Sequence, residues 1–145
     1  IINGLEKIIR MLIGPKKNYP IAFLRTSVKK KNSSFTGHLV QMKCMREDLY
    51  SKTITIYHTN DGNISLGVVY KKQEFLIPII IILKALIATT DVQIYEKLVK
   101  GYQGNSDISD RVEVLLRVSK TLSLHTQYEC LTYLGSRFRN ELGFL

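Results

Sequence analysis

Five lysines in two clusters are the side chains of this sequence best suited to a specific chemistry. Lys16-Lys17 and Lys29-Lys30-Lys31 lie in segments that are predicted to be loops. Ammonium groups on loops can bind the phosphates of a nucleic-acid backbone by charge, without reading its sequence. Tyr19 and Phe35 lie near them, but two aromatic residues do not make a base-stacking platform. Backbone binding by these lysines is one interpretation, and well-solvated charged loops are the other.

The carboxylates are arranged in ways that indicate structural roles. Glu47 and Asp48 are adjacent, and adjacent residues of a strand point to opposite faces of a sheet. Asp107 and Asp110 lie where a helix is predicted to start, and negative charge is favourable there. The sequence contains no nucleophile elbow, phosphate-binding loop, dinucleotide fingerprint or zinc signature. We therefore predict no catalytic residue in this chain.

The cysteines and histidines are too scattered to indicate a disulfide or a metal site. Cys44 and Cys130 are far apart and lack C-x-x-C spacing, which is typical of reduced thiols that pack in a core. The three histidines, His38, His58 and His125, show no ligand spacing. We predict neither a metal nor another cofactor in this chain.

The basic charge is concentrated in the N-terminal part of the chain. The chain has 145 residues, which suits one ordinary domain, and a formal net charge of +9. Residues 1–60 carry 11 basic and 3 acidic residues, a net +8, whereas residues 61–145 carry a net +1. Such asymmetry favours a nucleic acid or an acidic protein as a partner. The longest apolar run, Phe75 to Leu83, is far shorter than the roughly 20 residues of a membrane span, so no membrane partner is expected.

The elements that must position these side chains are mostly strands in the first 70 residues. Residues 21–24 form a short apolar run and residues 38–45 alternate loosely between apolar and polar side chains, and both patterns are typical of strands. In residues 53–70, two runs flank Asp61-Gly62, which supplies the positive φ of a hairpin turn, so a hairpin is predicted there. The polar stretch 29–36 is predicted to be a mobile loop. Residues 5–13 fit helical spacing, yet their β-branched side chains also suit a strand.

Helices are predicted in residues 78–140. Pro78 can begin a buried helix over residues 79–87, because the first turn of a helix does not need its N–H. Thr90 and Gln93 form a capping-box pattern that opens a helix over residues 91–100, and Gly101 can end that helix.

Two further helices are predicted before the end of the chain. Asp107 or Ser109 can cap a helix over residues 112–122 whose apolar residues form one stripe. Thr126 and Glu129 form a second capping box, which opens a helix that continues through residue 138. Gly135 inside this helix costs about 1 kcal/mol relative to Ala, which suggests close backbone packing there.

The order of the elements predicts the fold class. Strands followed by helices indicate an α+β domain rather than a βαβ repeat. We expect an antiparallel or mixed sheet in the N-terminal half, which includes the 53–70 hairpin, packed with about four helices from the C-terminal half.

The first fifteen residues are unusually apolar for the start of a chain. Free N-termini are mostly polar and poorly ordered, whereas this one begins with Ile1-Ile2. We therefore expect that more chain precedes Ile1.

Three segments, in this order, resemble the lobe region of the second-largest subunit of eukaryotic multisubunit RNA polymerases. They are Ile1-Ile-Asn-Gly-Leu-Glu-Lys, Leu76-Ile-Pro-Ile-Ile-Ile-Ile-Leu-Lys-Ala-Leu with Asp91 and Ile94 after it, and Leu131-Thr-Tyr-Leu-Gly-Ser-Arg-Phe. The resemblance covers essentially the whole chain. Within this family, Lys7-Ile-Ile-Arg-Met-Leu-Ile followed by Asn18-Tyr-Pro-Ile-Ala is similar to the RNA polymerase I version.

The resemblance implies that residues 1–145 are a single lobe domain, a fragment of a much larger subunit. It also implies that residues 1–14 are a strand-like junction to a preceding domain, and it favours a strand over residues 5–13. The parent enzyme is a DNA-directed RNA polymerase, a nucleotidyltransferase that makes ribosomal RNA precursor in the nucleolus.

The resemblance further implies which partners the fragment has, and that the fragment contains no catalytic or cofactor-binding residue. The lobe forms one wall of the cleft that receives DNA, contacts other subunits including the largest, and lies where a peripheral heterodimer resembling TFIIF docks. The Mg and Zn of the parent enzyme belong to other regions, so no catalytic or cofactor-binding residue carries over. A stand-alone basic nucleic-acid-binding domain is the alternative function.

Overall fold

The computed structural model describes residues 1–31 and 33–141, in which a five-stranded sheet precedes most of the helices. The strands are β1 (Pro20–Leu24), β2 (Phe35–Met45), β3 (Ser51–Thr59), β4 (Ile64–Tyr70) and β5 (Gln73–Pro78). The helices are α1 (Thr26–Lys31), α2 (Ile79–Leu86), α3 (Asp91–Val99), α4 (Ser106–Thr121) and α5 (Gln127–Glu141). The predicted α+β class is confirmed.

The sheet is an antiparallel meander. Its order is β1-β2-β3-β4-β5, so each strand pairs with its neighbours in the chain. β3 and β4 pair from Ile54 with Val68 to His58 with Ile64, and Gly62 takes a φ of +78° in the turn between them. The predicted 53–70 hairpin is therefore confirmed, and all four strand pairings are antiparallel.

The helices α2 and α5 lie over the β4–β5 half of one sheet face, which we call the helix face. A row of register partners on this face crosses the sheet from β2 to β5 through Val40, Ile56, Leu66 and Ile77. Exposure falls along this row, from 36% at Val40 to 4% at Ile77. Phe75 of β5 packs against Phe138 of α5, with ring centroids 4.6 Å apart. The β1–β2 half of the helix face is thus left open.

The helical layer contains two apolar clusters that share α2. Ile80 packs with buried residues of α3 and α4, whereas Ile81 and Ala85 pack with Leu124 and Cys130 of the α5 side. Because consecutive residues of α2 face different clusters, α2 is the central helix of the layer. The predicted helix over residues 79–87 is confirmed for residues 79–86, but its end is not buried as predicted, because Leu86 and Ile87 are 71% and 60% exposed.

The sequence pattern does not predict β5, which extends the sheet beyond the hairpin. The turn between β4 and β5 consists of Lys71 and Lys72, with φ of +46° and +66°, the sign that a type I′ turn requires at both positions. Such turns usually contain Asn or Gly, so two lysines give no turn signal. Pro78, predicted to begin α2, is the last residue of β5 and pairs with Ser65. An edge strand tolerates its missing N–H.

Both predicted capping boxes are confirmed. Thr90 Oγ1 accepts a hydrogen bond from the Gln93 N–H at 3.3 Å, and Thr126 Oγ1 accepts one from the Glu129 N–H at 3.2 Å. α4 begins earlier than predicted, because its cap is Asn105 rather than Asp107 or Ser109; its side chain accepts from the Asp107 N–H at 3.1 Å.

Two predictions about local structure are wrong. The stretch 29–36 is not a continuous loop, because it contains the end of α1 and the start of β2. Lysine has a good helix propensity, which the loop prediction ignored. The predicted close packing at Gly135 is also absent, since no described atom lies within 4 Å of the position that a Cβ would take there.

Residues 5–13 form neither the predicted strand nor the alternative helix. Among the described residues of this segment, one isolated bridge joins Ile2 to Leu5, and residues 6–13 have no regular structure. Ile8, Ile9 and Ile13 are almost fully exposed. A strand needs a hydrogen-bonded partner and a short amphipathic helix needs a surface to pack on, and this segment has neither here. Its predicted role as a junction to a preceding domain stays a prediction.

Candidate nucleic-acid interface

The two lysine clusters lie on either side of β1. Lys16 and Lys17 are exposed in the segment that leads into β1, and the Lys16 Nζ lies 4.9 Å from the centroid of the Tyr19 ring. Lys29, Lys30 and Lys31 lie in α1, which follows β1, and their side chains fall outside the described residues. Their predicted contact with phosphates stays a prediction.

Asn18 attaches the first cluster to the sheet. Its N–H donates to the Lys43 carbonyl at 2.8 Å, and its side-chain amide exchanges two hydrogen bonds with the backbone of Met45, at 2.7 and 3.0 Å. Asn18 takes a φ of +55°, a conformation that Asn tolerates better than most residues. These three bonds hold Lys16 and Lys17 beside the C-terminal part of β2.

Lys43 and Arg25 extend the positive charge over the sheet face opposite the helices, which we call the aromatic face. Phe23, Leu39 and Tyr57 are register partners on this face. The Arg25 Cζ lies 4.7 Å from the centroid of the Phe23 ring, and exposed Lys43 lies two residues beyond Gln41 on the same face. From Tyr19 to Arg25 an extended chain spans about 20 Å, which is the length of several phosphates of a nucleic-acid strand.

Sequence reasoning missed Arg25 and Lys43 because neither belongs to a run of basic residues. The alternation in β2 was the available signal, since it places Gln41 and Lys43 on one face. A shallow depression of about 90 Å³ lies between these residues, and its lining includes Lys16, Tyr19, Phe23 and Lys43. The arrangement can attract an anion.

Glu74, a carboxylate on the aromatic face, is hydrogen-bonded to a tyrosine. The Tyr57 hydroxyl donates to the Glu74 Oε1 at 2.7 Å, and the Tyr57 ring stacks on Phe35 with centroids 4.9 Å apart. Burial, followed by this hydrogen bond, raises the pKa of Tyr57 to about 12. Glu74 is half-buried in β5.

Two apolar surfaces could receive another protein. β1 is an edge strand whose second side pairs with no described strand, and its Leu24 is exposed. The second surface, which we call the α2–α3 patch, consists of Leu86, Ile87 and Leu98. Leu86 is 71% exposed, and a depression of about 130 Å³ is lined by Ile87, Leu98 and Lys97, among others.

Asp48 and the two cysteines have surroundings that are typical of structural roles. Asp48 pairs with Arg46 at 3.3 Å and accepts from the Tyr50 N–H at 3.2 Å, so it stabilises the β2–β3 turn. Cys44 and Cys130 are free thiols, and burial raises the pKa of Cys130. Among residues 1–31 and 33–141, no group of three or more His, Cys, Asp and Glu side chains could hold a metal ion.

The helical layer contains a buried ion pair that the sequence does not reveal. The Lys84 Nζ lies 2.5 Å from the Asp91 Oδ1 and donates to the Leu124 carbonyl at 3.1 Å. The Lys84 side chain is 2% exposed, whereas that of Asp91 is 27% exposed. One ammonium group therefore joins α2, the start of α3 and the loop before α5.

No helix in the described part of the chain is long and apolar enough to cross a membrane.

Comparison with known proteins agrees with the resemblance seen in the sequence. The family model described as RNA polymerase Rpb2, domain 2, matches residues 17–143. The chain is 52% identical over 139 residues to DNA-directed RNA polymerase I subunit RPA2 of Euplotoides octocarinatus, which covers 96% of this chain and 12% of that protein.

Two other relatives show the same relation at greater distance. Identity is 43% over 143 residues to the probable DNA-directed RNA polymerase I subunit RPA2 of Schizosaccharomyces pombe, with 99% of this chain and 12% of that protein covered. It is 37% over 143 residues to DNA-directed RNA polymerase I subunit RPA2 of Homo sapiens, with 99% and 13% covered. The chain thus spans about an eighth of the length of the curated relatives that it matches.

Proposed function

Since this chain belongs to the RNA polymerase Rpb2, domain 2, family, we propose that it is the lobe of the second-largest subunit of a DNA-directed RNA polymerase I. The observation that carries the proposal is the similarity to RPA2 relatives over 96–99% of the chain. In this role the chain is a non-catalytic module of a nucleotidyltransferase that transcribes ribosomal RNA precursor in the nucleus, within the nucleolus. Mg and Zn are held by other regions of the parent enzyme.

The aromatic face supports a role as part of the DNA cleft wall. Lys16, Arg25 and Lys43 place positive charge on one side of the sheet, and exposed Lys17 is next to Lys16 in the chain. Glu74 on that face accepts a hydrogen bond from Tyr57. Cations of this kind bind DNA through phosphates and independently of sequence, which is what a general transcription enzyme requires. Lys29, Lys30 and Lys31 would extend the same contact.

A salt titration tests the DNA-facing role. We expect weak binding of this chain to duplex DNA at low salt. The slope of the logarithm of the binding constant against the logarithm of the salt concentration should fall in magnitude by about 2 when Lys16 and Lys17 are both replaced by Glu. The matched control replaces exposed Lys97 and Lys100 of the helical layer, where the slope should not change. Equal effects of the two double variants would contradict the proposal. Tight binding that persists at physiological salt would favour the stand-alone nucleic-acid-binding alternative.

The apolar surfaces support docking of other polymerase subunits, including the largest subunit and a peripheral heterodimer resembling TFIIF. The α2–α3 patch is the better candidate for the heterodimer, because it combines exposed Leu86 and Ile87 with a depression that can receive a side chain. The edge of β1 offers the second route, by addition of a strand.

A pull-down with purified heterodimer separates the two routes. Leu86→Asp should abolish capture if the patch is the site, and Leu24→Asp on β1 should leave it unchanged. The reverse result would move the interface to the β1 edge. No capture of the unsubstituted chain at micromolar concentration would refute docking by this domain.

A further inference from the structure

Two histidines that are distant in the sequence lie on neighbouring strands of the sheet. His38 of β2 pairs with Leu24 of β1, and His58 of β3 pairs with Ile64 of β4. Leu39 and Tyr57, the residues next to them, are register partners across β2 and β3. Both histidines lie on the open half of the helix face and line one depression of about 210 Å³.

Thr36 is hydrogen-bonded to both histidines, and its contacts determine which ring nitrogen of His58 carries the proton. Its hydroxyl donates to the His58 carbonyl at 3.1 Å, lies 3.1 Å from the His58 Nδ1, and accepts from the His38 N–H at 3.3 Å. A hydroxyl has one hydrogen and a carbonyl can only accept. All three contacts are therefore satisfied when the His58 Nδ1–H donates to Thr36, which leaves a lone pair on Nε2.

A protonated Nδ1 that donates to a fixed oxygen is the usual arrangement of a histidine that binds a metal through Nε2. Imidazole suits late first-row divalent cations, and affinity increases from Zn²⁺ and Ni²⁺ to Cu²⁺. We propose that His58 Nε2 and the His38 imidazole form a two-histidine site for such a cation, with water in the remaining positions. This site is independent of the polymerase role proposed above.

Calorimetric titration of this chain with NiCl₂ and ZnCl₂ tests the site. We expect one saturable site that is lost in His38→Asn and in His58→Asn. His125→Asn is the matched control and should bind as the unsubstituted chain does, because His125 lies two residues before α5 and does not line the depression. Thr36→Val should weaken binding by about 10- to 100-fold, since it removes the partner that orients His58.

A structural measurement keeps the proposal falsifiable if a variant misfolds. ¹⁵N-NMR of the unsubstituted chain should show the Nδ1–H tautomer for His58 and shifts of both ring nitrogens of His38 and His58 on adding Zn²⁺. Absence of saturable binding, equal loss in His125→Asn, or an Nε2–H tautomer of His58 would overturn the proposal.

Discussion

The buried ion pair of the helical layer leads to a prediction about which partner is harder to remove. Asp91→Asn leaves the Lys84 ammonium in place but removes its counter-charge, whereas Lys84→Met leaves the Asp91 carboxylate. Lys84 is 2% exposed and its charge cannot reach water, whereas the Asp91 side chain is 27% exposed, although its Oδ1 is buried. We therefore expect Asp91→Asn to be the more destabilising substitution, although the two remove the same pair.

The expected magnitudes follow from the surroundings of each group. Leaving a buried charge without its partner costs about 3–5 kcal/mol, which we assign to Asp91→Asn. Lys84→Met keeps the length and apolar stem of the side chain and leaves the Leu124 carbonyl without its donor. The unpaired carbonyl costs about 1–3 kcal/mol. The double variant should cost less than the sum, because no buried charge remains in it.

Urea denaturation of the four proteins, followed by circular dichroism, measures this double-mutant cycle. A volume-conserving apolar exchange in the other apolar cluster, Leu115→Met in α4, provides the control and should cost less than 1.5 kcal/mol. If Lys84→Met were more destabilising than Asp91→Asn, or if the two effects simply added, the assignment of a coupled buried pair would be wrong.

Three further predictions concern glycine, a capping carboxylate and a thiol. Gly67→Ala should destabilise the chain by about 1–3 kcal/mol in urea denaturation, because the new Cβ would lie 2.6 Å from the Tyr57 Cε2. The Tyr57 ring cannot easily move away, since it stacks on Phe35 and its hydroxyl is bonded to Glu74. Gly135→Ala, where the space around the new Cβ is open, should stabilise the chain by up to about 1 kcal/mol. Hydrogen bonds from the Thr126 and His125 N–H groups lower the pKa of Glu129, so its stabilisation is present above the pKa of the unfolded chain and is lost as pH falls through the lowered value. Stability of the unsubstituted chain and Glu129→Gln, measured from pH 7 to pH 3, should therefore converge on acidification, and a constant difference would contradict this. Iodoacetamide should modify Cys130 far more slowly than half-buried Cys44 in the native chain, because Cys130 is buried and its thiol pKa is raised; equal rates by mass spectrometry would refute that view.

The sequence predicts those elements that begin or end at a residue type typical of a turn or a helix cap. Asp61-Gly62 identifies the hairpin, and the boxes at Thr90 and Thr126 identify the starts of α3 and α5. β5 is not predicted, because Lys71 and Lys72 adopt positive φ without a residue type that favours it. Residues 5–13 show the opposite: their sequence pattern suits a strand or a helix, but the segment has no strand or packing surface to pair with among the described residues.

The candidate sites depend on pairings that a linear pattern does not contain. Lys16 and Lys17 are visible as a cluster, but their proximity to Lys43 requires the Asn18 bonds. His38 and His58 are twenty residues apart and are brought near each other by the register of β2 with β3. Lys84 reads as the end of an apolar run, and its role depends on Asp91 and Leu124, which belong to other elements.

The meander also has a consequence for the order in which the chain can fold. Because every strand pairs with its neighbours in the chain, the sheet can form by successive closure of short loops, without a search for a distant strand. The helical layer, by contrast, needs the Lys84 ammonium to reach a carbonyl forty residues away. We therefore expect a sheet that can form as its residues emerge from the ribosome, and a helical layer that closes only after residue 124 has been synthesised.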